Sequence, residues 1–236
     1  MAVTQQPLRI GSHTIQIPTL ARIAESRKAL VESRAWIQAE LIVVTLLVQV
    51  GIWNLGPTRS AAVKFGIAWI ILTTLLDGTT QKEMGLSWKA SKQAYWLAYP
   101  ALFLIALVWV VGVLCGTQDQ FSHQPGTILN HKFGYILGAV AQQLLMQSYV
   151  FVRLQKLWPQ AAVKYTAASF SLSHLPNPVL IVLCWGVGWV TATQFKKYRC
   201  VWALGIAHGV IGAAMAEYLP SWVMRVGKGL LTLGSR

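Results

Sequence analysis

Charge is scarce in this chain, and negative charge scarcest. Seven Asp and Glu stand against 20 Lys and Arg in 236 residues, and charged residues together make up 11%, where a soluble domain carries about a quarter. That excludes an ordinary soluble domain. It also leaves few groups for acid–base chemistry: Glu25, Glu32, Glu40, Asp77, Glu83, Asp119 and Glu217. Cysteine is equally sparse. Cys115, Cys184 and Cys200 include no close pair, so neither a disulfide framework nor a CxxC metal site is indicated, and the three read as small apolar fillers. Residues 1–34 lack the apolar core of a cleavable signal peptide. No tandem repeat or low-complexity segment interrupts the chain.

Apolar sequence fills the space. Hydrophobic residues make up 55% of the chain and the mean hydropathy is +0.50, values of a polytopic membrane protein. The expected fold is an all-α polytopic membrane bundle with about seven transmembrane helices. The spans fall at about 35–55, 61–76, 95–115, 133–152, 161–174, 178–195 and 200–218, near the ~20 residues a bilayer demands, the fifth being shorter. Amphipathic interfacial helices are expected at 18–34, near 85–94 in GLSWKASKQAYW, and at 222–233. Residues 116–131 read as a polar loop with Asp119, His123 and His131. Two units follow: an N-terminal segment 1–34 and one transmembrane domain 35–236, with a motif-bearing core at 133–218.

The net charge of +13 is not gathered in a patch, because the basic residues sit in loops between apolar runs. That distribution reflects topology and contact with anionic membrane lipids, and argues against nucleic acid. With the N-terminus cytoplasmic, the inner segments carry about twice the Lys and Arg of the outer ones. A multi-pass protein of a bacterial inner or thylakoid-type membrane is expected.

Within the core, the stretch AVAQQLLMQSYVFVRLQK carries three amides: Gln142, Gln143 and Gln147. An unsatisfied amide in hydrocarbon costs several kcal/mol, so something polar must face them. Gln143 and Gln147 are four residues apart and share a helix face. The candidate partners are His174, which ends FSLSH, and His208, which begins HGVIG. Two readings stand side by side: hydrogen bonding across helices as packing glue, or a functional polar pocket. Two imidazoles fall short of the three protein ligands a catalytic zinc takes, so neither a metal nor a cofactor is expected. Glu40 reads as an interfacial residue paired with Arg34 or Arg153, with approach to the pocket as the alternative.

The order of these motifs resembles the CPBP family of intramembrane proteases, the CAAX-protease and bacteriocin-processing proteins. That family carries EExxxR, then FxxxH, then HxxxN or HxxxB on successive membrane helices. Phe170 and His174 match the second motif, and His208 the start of the third. HLPNP, the KKYRCVWALGIAH approach and the GLSWKASKQ piece are also similar to the family's context. The resemblance spans about 133–218. It implies an endopeptidase scaffold whose motif glutamate and histidines activate water, with Gln142, Gln143, Gln147, His174 and His208 at the catalytic positions and Phe170 and Gly212 at the pocket. The chain departs from the pattern in two places. QQxxxQ replaces EExxxR, and Gly212 stands where the third motif ends in Asn. A glutamine amide holds water but cannot take its proton. The expectation is therefore a catalytically degenerate member that holds a membrane peptide, lipid or protein partner, or serves as a subunit of a membrane complex. The alternative is an active endopeptidase whose base is His174 or His208.

Overall fold

The structure is a computed structural model that describes residues 8–10, 13–15, 20–53, 58–117 and 125–225. It opens on a two-stranded antiparallel ladder not foreseen in the sequence: β1 (Leu8–Ile10) and β2 (His13–Ile15), with Arg9 opposite Thr14. All other regular elements are helical. Helix α1 (Leu20–Val31) falls inside the expected surface helix. Long apolar helices α2 (Arg34–Trp53) and α3 (Thr58–Asp77) follow. A short α4 (Trp88–Gln93) starts at Ser87, whose Oγ accepts from the Ala90 amide, and leads through a 3-10 turn at Tyr95–Leu97 into α5 (Ala98–Leu114). The central rod is α6 (Pro125–Gln143), a π-helical segment at Leu144–Phe151 and α7 (Val152–Leu157). Then come α8 (Ala162–Leu172), α9 (Pro178–Tyr198), α10 (Val201–Tyr218) and a 3-10 turn at Ser221–Met224.

Among the described residues, six helices are long and apolar enough to cross a membrane: Arg34–Trp53, Thr58–Asp77, Tyr95–Leu114, Phe133–Leu157, Pro178–Tyr198 and Val201–Tyr218. The chain is an integral membrane protein. Its outer helices show large apolar side chains, among them Leu75, Leu114 and Phe103, as lipid-facing surfaces must. The span expected at 161–174 is shorter than a crossing. At 11 residues and about 1.5 Å per residue, α8 covers roughly half of a ~30 Å hydrocarbon core. It packs on α9, which returns from a tight corner at Leu175–Asn177. Polar residue 177 makes that corner. The Asn177 Oδ1 accepts from the amides of Val179 and Leu180, and Nδ2 donates to the carbonyls of Trp222, Val223 and Arg225, so it caps α9 with Pro178 in the first turn and fastens the chain after α10. The helix expected at 222–233 lies largely outside the described residues, as do Asp119 and His123, while His131 falls within α6.

The core surrounds the central rod. Met146 to Leu154 are all buried, a sequence too polar for such burial unless its polar groups are matched. Two partnerships match most of them, leaving Arg153 Nη1, Arg153 Nη2 and Gln147 Oε1 without a hydrogen-bond partner among the described residues. Towards its end the rod meets the end of α3 and the start of α2. Arg153 Nε donates to Glu40 Oε2, while Glu40 Oε1 accepts from Trp36 Nε1 at 2.6 Å. Glu40 thus takes the Arg153 pairing. The guanidinium lies 3.6 Å over the Tyr149 ring, whose hydroxyl is 2.9 Å from Thr73 Oγ1. Lys156 Nζ reaches both Asp77 oxygens at 2.6 and 2.7 Å.

The same end gathers the basic loops. Arg199, left-handed at φ 49°, donates to the Glu83 carbonyl and to Gln155 Oε1. Burial of its guanidinium lowers its pKa from the ordinary arginine value. The Thr80 amide and hydroxyl hold the Glu83 carboxyl below the usual carboxylate range. Gly85 is required here. It has φ +68°, and a Cβ would stand 2.4 Å from Phe195.

Candidate functional site

The second partnership is the candidate site, built by close approach of α6 and α10. The spacing GIAHG places Gly205 and Gly209 on one face of α10. A Cβ at these positions would stand 3.0 Å from the Val140 Cα and 2.8 Å from the Ile136 Cα. Bare backbone lets the two helices touch, and this contact brings His208 to Gln143.

The amides form a directed hydrogen-bond chain. Gln147 Nε2 donates to Thr191 Oγ1 at 3.1 Å and to Gln143 Oε1 at 3.2 Å. Thr191 Oγ1 donates on to the Gly188 carbonyl at 3.2 Å. The Gln143 Nε2 lies 3.1 Å from His208 Nδ1. An amide nitrogen only donates, so Nδ1 must accept, and neutral His208 carries its proton on Nε2. The amide orientations are assigned from this network and are mutually consistent. Gln143 and Gln147 are 0% and 1% exposed. Gln147 Oε1 is buried without a hydrogen-bond partner among the described residues.

His174 has the opposite tautomer. Its Nδ1 is 2.8 Å from the Phe170 carbonyl, which can only accept, so the proton sits on Nδ1 and Nε2 keeps its lone pair. The Phe170 ring stands edge-on to both imidazoles, at 5.0 Å from His174 and 5.5 Å from His208. One histidine thus offers an acceptor and the other a donor, with an apolar ring between. The π-helical segment contains Gln147 and directly follows Gln143. Such insertions rotate side chains out of α-register and occur often at functional sites.

Not every expected residue joins the chain. Gln142 is exposed and stands outside it. Gly212 contributes space. A Cβ there would lie 2.5 Å from Tyr135 Cε1 and 2.9 Å from the Tyr135 hydroxyl. The phenol of Tyr135 therefore fills the volume a side chain at 212 would claim. Tyr135 and Thr191 were not singled out in the sequence. Thr191 had no motif to mark it, and the signal for Tyr135 was the missing side chain at Gly212.

Residues 124–214 match the family model described as type II CAAX prenyl endopeptidase Rce1-like. That segment of the chain is similar to the Rce1-like family. The matched segment runs from just before α6 into α10 and contains the site. No curated protein and no solved structure matches the chain. This is the protease family whose motif order the sequence resembles. Within the matched segment Gln142, Gln143 and Gln147 are neutral amides. The carboxylates of Glu40 and Asp77, which lie before that segment, are bound to Arg153 and Lys156 at the end of the rod. Glu217 follows His208 by nine residues, which turns it to the opposite side of α10 at about 100° per residue. The arrangement can donate and accept hydrogen bonds around Phe170, and its amides have no basic form for taking a proton from water.

Proposed function

We propose that this protein is a catalytically degenerate Rce1-like membrane protein that holds a membrane peptide, lipid or protein partner in the former substrate pocket without cutting it. It serves in this way as a subunit of a membrane complex. The observation that carries this reading is the chain Thr191–Gln147–Gln143–His208, whose members are neutral and linked by hydrogen bonds, with Gln147 Oε1 left without a partner among the described residues. Losing the glutamates alone would have stranded a buried arginine, which costs several kcal/mol. Replacing all three charges keeps a closed hydrogen-bonded network. The acceptor of His174 and the donor of His208 are complementary to a peptide amide, which has one of each.

A second reading has one observation in its favour. His174 Nε2 keeps its lone pair, and an imidazole is basic enough to take a proton near neutral pH. On that reading the protein is an active endopeptidase with altered chemistry.

The test uses the purified full chain and a prenylated CAAX peptide, the substrate class in the family's description. The expected result is no cleavage by the native chain and a gain of cleavage in Gln143→Glu with Gln147→Arg, which places a carboxylate beside His208. Cleavage by the native chain that disappears in His208→Ala would establish the second reading.

A further inference from the structure

The face of α10 turned away from the glutamine–histidine chain carries a different feature. Between α4, α5 and α10 lies an apolar slot of about 360 Å³. Alanines make its walls: Ala98 and Ala101 on α5, Ala203 and Ala207 on α10, with Ile105 and Val210 at the far end. Ala98 to Ile105, like Ala203 to Val210, spans about 10 Å of helix axis. The slot is narrow and takes the upper part of one hydrocarbon chain, not a helix or a second copy of the protein. On α10, residues 203, 207 and 210 point roughly opposite to 205, 209 and 212, which face α6.

The mouth is polar and basic. Lys92 and Ser91 of α4 line it, and among the described residues no carboxylate does. Ser91 is 6% exposed, and its hydroxyl has no hydrogen-bond partner among the described residues. A buried hydroxyl left unpaired costs free energy that a ligand oxygen or hydrogen would recover. Trp88 and Tyr95, both exposed, flank the mouth, as aromatic side chains do at the headgroup level. Close by, Trp96 packs edge-on against Tyr198, whose ring carries Lys197 Nζ at 5.0 Å, so the neighbourhood adds positive charge.

We propose that this slot is a binding site for an anionic phospholipid. One acyl chain fills the alanine-walled groove, the phosphate meets the Lys92 ammonium, and the Ser91 hydroxyl donates to a phosphate or ester oxygen. Charge complementarity selects the headgroup, because each basic residue at the surface favours anionic lipid. The overall charge of +13 brings such lipids to the protein, and the slot gives one of them a fixed place.

Native mass spectrometry of the full chain in mild detergent tests the site, with palmitoyl-oleoyl phosphatidylglycerol and phosphatidylcholine as probes. Phosphatidylglycerol is expected to bind several-fold more tightly than phosphatidylcholine. Lys92→Glu should weaken phosphatidylglycerol binding at least about fivefold, while Lys164→Glu, the same charge change on α8, leaves it within about twofold. Ala207→Phe fills the slot and should remove the bound lipid at an unchanged unfolding temperature. Where that variant unfolds, Ala98→Ile on the facing wall takes its place. Equal binding of the two lipids, equal effects of the two lysine variants, or lipid retained in a filled slot would each overturn the proposal.

Discussion

Two polar clusters lie six residues apart on the same central rod, and they handle polarity in opposite ways. At Arg153 the rod keeps its charges and neutralises them: Glu40 and Asp77 face Arg153 and Lys156, with Trp36 and Thr79 completing the carboxylate shells. At Gln147 it has no charge at all and closes a loop of amides, a threonine and an imidazole. The charged cluster sits where the loops gather, and the neutral one lies between the membrane helices α6, α9 and α10. The contrast bears on the proposed loss of catalysis. This chain tolerates buried carboxylates and arginine when they are paired, so their absence from the QQxxxQ positions is not a general avoidance of buried charge. The carboxylates it retains near the rod are committed to cations and are not free to serve as bases.

The sharpest way to break the comparison is to unpair the charged cluster. Arg153→Met should destabilise by about 3–5 kcal/mol, because it strands Glu40 at 1% exposure. Adding Glu40→Leu should recover much of the loss, and unfolding temperatures of the two single variants and the double variant read the coupling. Second in size, Gly209→Leu drives a side chain into the Ile136 backbone. It should cost about 1–3 kcal/mol and end peptide binding by parting Gln143 from His208. Gln147→Leu should cost only about 0.5–1.5 kcal/mol, since interhelical hydrogen bonds in membranes are individually modest. If it matched the Arg153→Met effect, the neutral cluster would hold the fold as tightly as the charged one. The smallest effect belongs to Gln142→Ala, whose exposed side chain lies outside the hydrogen-bond chain. Its unfolding free energy should stay within about 0.5 kcal/mol of the native chain's.

The long spans were legible because hydropathy and ~20-residue length leave little choice in a bilayer. For Glu40 the sequence left Arg34 and Arg153 open as partners at an interface, and the structure takes Arg153 and buries the pair. The site was legible in part. Spacing put Gln143 and Gln147 on one face and named the two histidines. The family resemblance also grouped Gln142 with them, whereas the structure leaves it exposed, because adjacent helical residues point about 100° apart. α8 appeared longer in sequence because its apolar run continues to the corner that Asn177 makes. The early start of α6 at Pro125 was hidden by polar residues that read as loop. The π-helical segment has no sequence signature at all, and it changes which side chains face inward. Tyr135 could be found only from the space left by Gly212.

The most direct test of a site that holds without cutting is a single-turnover experiment. The purified full chain, in excess over a prenylated CAAX peptide, is incubated for hours, and the peptide is recovered and weighed by mass spectrometry. The expected result is intact peptide that co-elutes with the native chain and dissociates from Gly209→Leu. Release of the C-terminal tripeptide by the native chain, but not by His208→Ala, would contradict the account.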